Sequence, residues 1–309
     1  MIFAVIIEPM KILFEDKDVL VIDKPAGVVA NEAKTARGET VQAWMANYLV
    51  ESRLAKFVSE ESGEKWFESL VSKEDMRELI PADFDDMYGT PEEIFSSRWG
   101  IVHRLDKDTS GVMVLAKNPG ALVALLDQFK KRQTKKEYMT LVHGQLDPEE
   151  GTLTFPLGRS KSNFKKIVVQ AGGRKAETNY QVTEKLPFTE NLLEKIMARV
   201  GEMNSFSTDE LSDAKAQMKK TYQQGFSWVK CQPKTGRMHQ IRVHMNATGH
   251  PLVGDPLYLG RKRLKMDRLW TDGQVLSAVK LEFRHPRSGE HVEIGLEQED
   301  AFPYQKIFS

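Results

Sequence analysis

A single cysteine, Cys231, is all the thiol this sequence carries. An internal disulfide is therefore impossible and a thiolate zinc cluster is excluded, which points to a reducing compartment, the cytoplasm. No apolar run approaches the roughly 18 residues a membrane helix needs, so no membrane partner is expected. The opening MIFAVIIEPM has a short apolar stretch but no base before it and no small-residue cleavage site, so it does not read as a secretory signal. No G-x-G-x-x-G follows a strand-like segment, and there is no P-loop and no G-x-S-x-G. Nucleotide-phosphate cradling and the α/β-hydrolase nucleophile therefore find no support. Net charge is missing as well: 44 Lys and Arg balance 44 Asp and Glu over 309 residues.

That neutrality hides a split. Residues 51–97 carry a net −8, whereas 98–309 carry a net +10. A basic body with an acidic appendage suits a polyanion binder that keeps one region away from the polyanion. The stretch 51–97 reads as an acidic helical insertion, with Trp66, Phe67, Phe84 and Tyr88 as its anchors on the surface.

Along the chain, KILFEDKDVLVIDKPAG reads as two short strands around an Asp-rich turn, ending at Pro25 and Gly27. Met10 opens this pattern, so it is a candidate start, with 1–9 as an extension. Thr40 caps a helix whose apolar face holds Val41, Trp44, Met45, Tyr48 and Leu49. GVMVLAK (111–117) is a strand, and Pro119 opens a helix that runs into KKRQTKK, five bases in seven residues. EYMTLVHG (137–144) is a strand, and 151–184 has the pattern of a β-ribbon and a further strand. Residues 186–223 read as a second helical insertion, with Ser207 and Glu210 in capping-box spacing. FSWVKCQ (226–232) is a strand, GRMHQIRVHMNATG (236–249) a helix, and LSAVKLEF and HVEIG are closing strands. Strands and helices do not alternate strictly, so the expected class is α+β rather than a doubly wound sheet.

Two segments concentrate chemistry. In WGIVHRLDKDTSGVMVLAK, Asp106 lies between a His-Arg pair and a Thr-Ser-Gly turn, just before a buried strand. A carboxylate on such a loop suits catalysis. A solvated surface turn has the same composition, and the residues alone leave the two readings level. In KTGRMHQIRVHMNATGHPLVGDPLYLG, Arg237, His239, Arg242 and His244 fall within eight residues, before a turn built from Gly249, Pro251, Gly254, Asp255 and Pro256. Read as helical, His239 and His244 would be about 140° apart, so they do not form a zinc pair, and no metal is expected. Cys231, inside a strand, reads as a small buried hydrophobe.

At these residues the sequence resembles the RluA-type pseudouridine synthases. HRLDKDTSG (103–111) looks like that family's reacting loop, KKEYMTLVHG (135–144) like its tyrosine strand, and TGRMHQIRVH (235–244) with GHPLVGDPLY (249–258) like its C-terminal signature; ILFEDKDVLVIDKPAG (12–27) also fits. The resemblance implies a single α+β catalytic domain over 10–309, with a central, mainly antiparallel sheet, flanking helices and a basic cleft across it, and with 51–97 and 186–223 inserted in it. It leaves no room before residue 12 for a separate N-terminal RNA-binding module. It implies isomerisation of uridine to pseudouridine in ribosomal or transfer RNA, with RNA as the partner and without cofactor or metal; a monomer is expected. It implies Asp106, Tyr138 and Arg242 as the reacting constellation, Arg242 keeping Asp106 charged. His103 and Arg104, Arg237 and His239, and Lys130, Lys131, Arg132, Lys135 and Lys136 are the RNA-binding or base-flipping candidates. Arg261, Lys262, Arg263 and Lys265 join them as phosphate contacts. Two other readings compete: an RNA-binding or folding factor with a lapsed site, and a nucleosidase-like glycosylase.

Overall fold

The computed structural model describes residues 10–32, 40–54 and 77–302. The extension 1–9 and the expected anchors Trp66 and Phe67 lie outside them. The chain divides into two compact units. One runs to Lys135 and includes Lys280–Gly295; the other holds Lys136–Val279 and the residues from Leu296. No helix among the described residues is long and apolar enough to cross a membrane.

In the first unit, β1 (Lys11–Glu15), β2 (Val19–Lys24) and β3 (Ser110–Ala116) form antiparallel ladders, with Leu20 opposite Leu115 and Ile22 opposite Met113. Val19–Ile22 and Val112–Ala116 are buried without a break, as strands covered on both faces are. That is why both segments read as continuous apolar runs rather than alternating ones. Helix α1 (Val41–Leu54) starts where Thr40 Oγ1 accepts from Ala43 N–H at 3.0 Å. Helix α2 (Pro91–Arg98) has a capping box between Thr90 and Glu93, and α3 (Pro119–Lys130) is capped by Asn118. Tyr88 is 81% exposed, so it does not anchor the acidic stretch as expected: it closes a single 3₁₀ turn, Asp86–Tyr88, with no buried residue.

The second unit is built on β4 (Lys135–His143), β5 (Glu150–Leu153), β8 (Thr178–Leu186) and β9 (Phe226–Pro233), in the order β4-β9-β8-β5 and antiparallel throughout. A separate hairpin joins β6 (Leu157–Arg159) to β7 (Ile167–Val169). Residues 186–223 contain α4 (Glu190–Met203) and α5 (Thr208–Thr221), the latter opened by the Ser207–Glu210 capping box. Leu193, Ile196, Val200 and Met218 send their apolar faces into a core shared with Phe226, Trp228 and Trp270. Lys215–Glu194 and Lys219–Glu190 pairs bridge the two helices outside that core. Helices α6 (Gln240–Ala247) and α7 (Arg261–Asp267) follow; β10 (Leu276–Arg284) passes at Lys280 into the residues of the first unit, where it pairs as a hairpin with β11 (His291–Gly295). Both units thus have the expected α+β composition with antiparallel ladders.

Helix α6 starts four residues later than its sequence pattern predicts. His239 takes a left-handed conformation, φ 54°. The buried Gln240 side chain accepts from Thr235 Oγ1 (2.7 Å) and Arg237 N–H (3.0 Å) and donates to Glu177 O and Thr178 Oγ1. These four bonds hold 235–239 as a loop. Tertiary bonding overrides a segment whose residues would otherwise propagate a helix.

The first unit carries its own clasp. Asp18, 1% exposed, receives both Nε (2.7 Å) and Nη2 (2.9 Å) of Arg287 and Nδ2 of Asn118 (2.9 Å). Burial pushes its carboxyl up, but the bonds from Arg287 and Asn118 outweigh this and hold it below the ordinary value. Such a group stabilises the fold above its unfolded pKa, and the stabilisation fades as pH falls through the folded value. Arg287→Met should therefore cost about 3 kcal/mol at pH 7 in urea unfolding, because a buried carboxylate loses its cation. The deficit should shrink towards pH 3.

Candidate active site

The loop before β3 presents Asp106, and its backbone is fixed from several directions. Thr109 N–H donates to Asp106 O at 3.1 Å, and Gly27 N–H donates to Lys107 O at 2.9 Å. Leu105 and Thr109, on either side of Asp106, are buried, whereas Asp106 itself is half-buried. Gly27 adopts φ +86°, a conformation that favours glycine, so the K-P-A-G segment can turn under the loop.

The residue that ties this together is Lys24. Its side chain is fully buried, and Nζ donates to Pro25 O (2.7 Å), Val28 O (2.9 Å) and Lys107 O (3.2 Å). Burial pushes its ammonium down to about 8, while Asp108, Asp106 and Asp23 pull the other way. A buried cation thus sits within electrostatic reach of Asp106 and bonds the carbonyl next to it. The motif reading included Lys24 without giving it a role. The available signal is a lysine at the end of a strand whose first four residues are apolar, VLVIDK.

His103 and Arg104 flank Asp106. His103 stacks on Phe129 (4.6 Å, 16°), and its Nε2 accepts from Val114 N–H at 3.2 Å, so it packs the loop against β3 and α3. Arg104 is exposed. In the basic run, Lys130 and Arg132 are exposed, and Lys131 bridges Asp83 (2.9 Å) and Asp127 (2.8 Å). Lys135 pairs with Glu282 at 2.9 Å, and Lys136 is half-buried in the second unit. Part of the expected phosphate surface is therefore matched to carboxylates distant in sequence. Arg261–Lys265 form the body of α7.

In the second unit, Tyr138 is half-buried on β4, opposite Cys231, against a cluster containing Val142, Ile241 and Leu252. Cys231 is fully buried, and burial pushes its thiol well up, as expected of an inert packing residue. Arg242 is gripped by Asp255 in a bidentate pair, Nε to Oδ2 and Nη2 to Oδ1, both at 2.8 Å. Both side chains are buried, and Asp255 Oδ1 also accepts from the N–H groups of Leu257 and Tyr258. The guanidinium lies 5.3 Å from the centre of the Tyr258 ring. By its local pattern Asp255 reads only as a turn residue.

That turn is itself held from below. Asp267 Oδ2 accepts from Gly254 N–H at 2.8 Å and lies 2.9 Å from His143 Nε2, while Tyr222 donates to Oδ1 at 2.8 Å. Gly254 has φ +73°, and a Cβ there would come within 2.0 Å of Gly273 O. The remaining histidines of the motif are internal. His239 is 8% exposed with Nδ1 3.0 Å from Tyr258 Oη, beneath the surface that a phosphate contact would require. His244 is buried, its Nε2 3.1 Å from Phe155 O; burial lowers its pKa, so it is a neutral ring at pH 7. Arg237 is half-buried, its Nε donating to Lys175 O at 3.2 Å.

Among the described residues one trio, Asp16, Asp18 and His285, has the spacing of a metal site. Its atoms are already engaged: His285 Nε2 lies 2.7 Å from Asp16 Oδ2, Asp16 Oδ1 accepts from two backbone N–H groups, and Asp18 belongs to Arg287 and Asn118. This is an ion-pair clasp rather than a vacant donor set.

Comparison with known proteins agrees with the motif reading. The family model described as RNA pseudouridylate synthase matches residues 18–247. The RNA pseudouridine synthase YlyB of Bacillus subtilis is 32% identical over 292 residues, covering 94% of this chain and 70% of that protein. Ribosomal large subunit pseudouridine synthase D of Nitrosomonas europaea is 31% identical over 288 residues, covering 91% of this chain and 60% of that protein. The chain thus spans between three fifths and seven tenths of the length of these two relatives. Among solved structures, human RNA pseudouridylate synthase domain containing 1 superposes with a TM-score of 0.57 at 21% identity, over 94% of this chain and 84% of that one; at that identity it speaks for the fold. On the family match and these relatives, the chain belongs to the RNA pseudouridylate synthases, isomerases that act on RNA.

Proposed function

We propose that the protein converts uridines of ribosomal RNA to pseudouridine in the cytoplasm, residues 10–309 acting as one catalytic domain that carries 51–97 and 186–223 as insertions. Asp106 is the reacting carboxylate. The ribosomal target rests on the relative named for the large ribosomal subunit. The observation that carries the role of Asp106 is the construction of its loop: three donors hold the backbone of 106–107, and one of them is the buried ammonium of Lys24. A preorganised backbone with a cation nearby is what an ionised, partly desolvated carboxylate requires.

The reaction breaks the bond between ribose C1′ and uracil N1, turns the base, and joins C1′ to C5, releasing the C5 hydrogen to water. An ionised Asp106 can add to C1′ or remove a sugar proton; both routes begin at the same charged oxygen. Tyr138 stacks on the uracil and handles a proton, and Arg242 holds the reacting carboxylate in its charged form. Arg104, exposed two residues from Asp106, fills the space the flipped base leaves, at an unstacking cost of a few kcal/mol. Lys130, Lys131, Arg132, Lys135, Lys136 and Arg237 take phosphates, Lys131 and Lys135 exchanging carboxylate partners for phosphate.

The test is release of tritium from C5-labelled uridine in a ribosomal RNA transcript. Wild type should release label without free uracil; free uracil would mean a glycosylase. Asp106→Asn should lower the rate by about 10³-fold or more while RNA affinity and circular dichroism are unchanged. Retention of a tenth of the rate would remove Asp106 from its role.

Lys24 gives a pH signature of opposite sign in activity and stability. Its folded pKa, about 8, lies below the ordinary 10.5. Between these values the unfolded chain keeps a proton that the folded chain has lost, so the Lys24 contribution to stability rises with pH across that window. Activity should fall through the same window, because a neutral amine supplies one donor fewer and no charge beside Asp106. Lys24→Met should be about tenfold to a hundredfold slower at pH 7, with a pH–rate profile that no longer bends near 8.

A further inference from the structure

The second unit has a basic surface of which the motifs and the proposed reaction use only Arg237. Residues 157–176, which include the β6–β7 hairpin, hold six bases and no acid. Beside the hairpin runs a groove of about 520 Å³, lined by Arg159, Arg174 and Arg237 with Gly158, Gly172 and Met238, and by no carboxylate. At the hairpin tip Phe164 is 72% exposed, between Lys161 and Lys165. Arg159 Nη1 donates to Phe164 O at 2.7 Å, so the groove and the tip are fastened to each other.

We propose that this hairpin is an RNA-contact element in its own right: the arginine groove takes the phosphate backbone of a single-stranded segment, and Phe164 stacks on an unpaired base of that segment. The proposal rests on the RNA reading above and adds a second site to it. Three arguments favour it. An aromatic ring this exposed among cations gains from a nucleobase, which offers it a π-face while the RNA backbone engages the lysines. Planar guanidiniums suit phosphate oxygens. The hairpin is also rooted beside Arg242. Tyr258 Oη bonds Ile167 of β7 through both its N–H (3.1 Å) and its carbonyl (3.0 Å), and the same ring lies under Arg242. RNA held on the hairpin therefore bears on the element that carries Arg242.

The experiment uses the full chain and the same ribosomal RNA transcript, measuring the dissociation constant against salt together with the kinetics of label release. Phe164→Ala should weaken binding about tenfold and Phe164→Trp should restore it, since stacking and not shape is at issue. Arg159→Gln with Arg174→Gln should flatten the log–log salt slope by about 0.7 for each phosphate the variant no longer holds. In both cases KM should rise with the affinity loss, while kcat changes less than twofold. Phe164, Arg159 and Arg174 are exposed, so the fold should survive, with circular dichroism as the check. If Phe164→Ala binds within twofold of wild type and the double variant keeps the slope, the proposal is overturned. Equal wild-type affinity for polyglutamate of matched charge would also overturn it, in favour of an acidic protein partner. Failure of the wild type to release label would instead count against the proposed reaction, and the binding results would still decide the hairpin.

Discussion

The bidentate pair between Arg242 and Asp255 is the contact on which the second unit's site depends. Removing both charges from water is costly, and the pair is tolerable because its geometry is good and further donors reach the carboxylate. Asp255 meets that condition by accepting from Leu257 and Tyr258 as well as from Arg242. The turn that carries Asp255 is set by Asp267, which receives Gly254 N–H and stands in a buried network with His143 and Tyr222. Tyr258 then serves three neighbours: Arg242 over its ring, His239 at its hydroxyl, and β7 of the hairpin. One buried ion pair thus orients a helix, a turn and a hairpin.

The first unit solves a similar problem by other means. Lys24 is as deeply buried as Arg242, but backbone carbonyls hold its ammonium. The consequence differs as well. A guanidinium stays charged at any pH a protein survives, whereas burial brings the Lys24 ammonium down to about 8 despite its carbonyl partners. The loop of Asp106 is therefore held by a cation whose charge depends on pH near neutrality, and the segment around Arg242 by one whose charge does not.

Local pattern carried much of the secondary structure. The unbroken apolar runs at 19–22 and 112–116, the caps at Thr40 and Ser207, the helix start at Pro119 and the strand of Cys231 all lie where their residues predict. The family motifs were legible for the same reason: residues within one short loop are tied by local turn chemistry, as Thr109 is to Asp106. The start of α6 was not legible, because Gln240 binds Glu177 and Thr178, some sixty residues away.

By itself the sequence determined which segments are strands and helices, where the carboxylate loop lies, and to which family the chain belongs. Periodicity, capping and motif spacing act over a few residues and need no knowledge of distant ones. Tertiary structure decided what each charge does. Lys131 and Lys135 meet Asp83 and Glu282, Arg242 meets Asp255, Lys24 meets three carbonyls, and the bases of the hairpin meet no acid in the groove they line. A charge costs little in water and much when buried, so its role follows from its partner and its burial, and folding sets both.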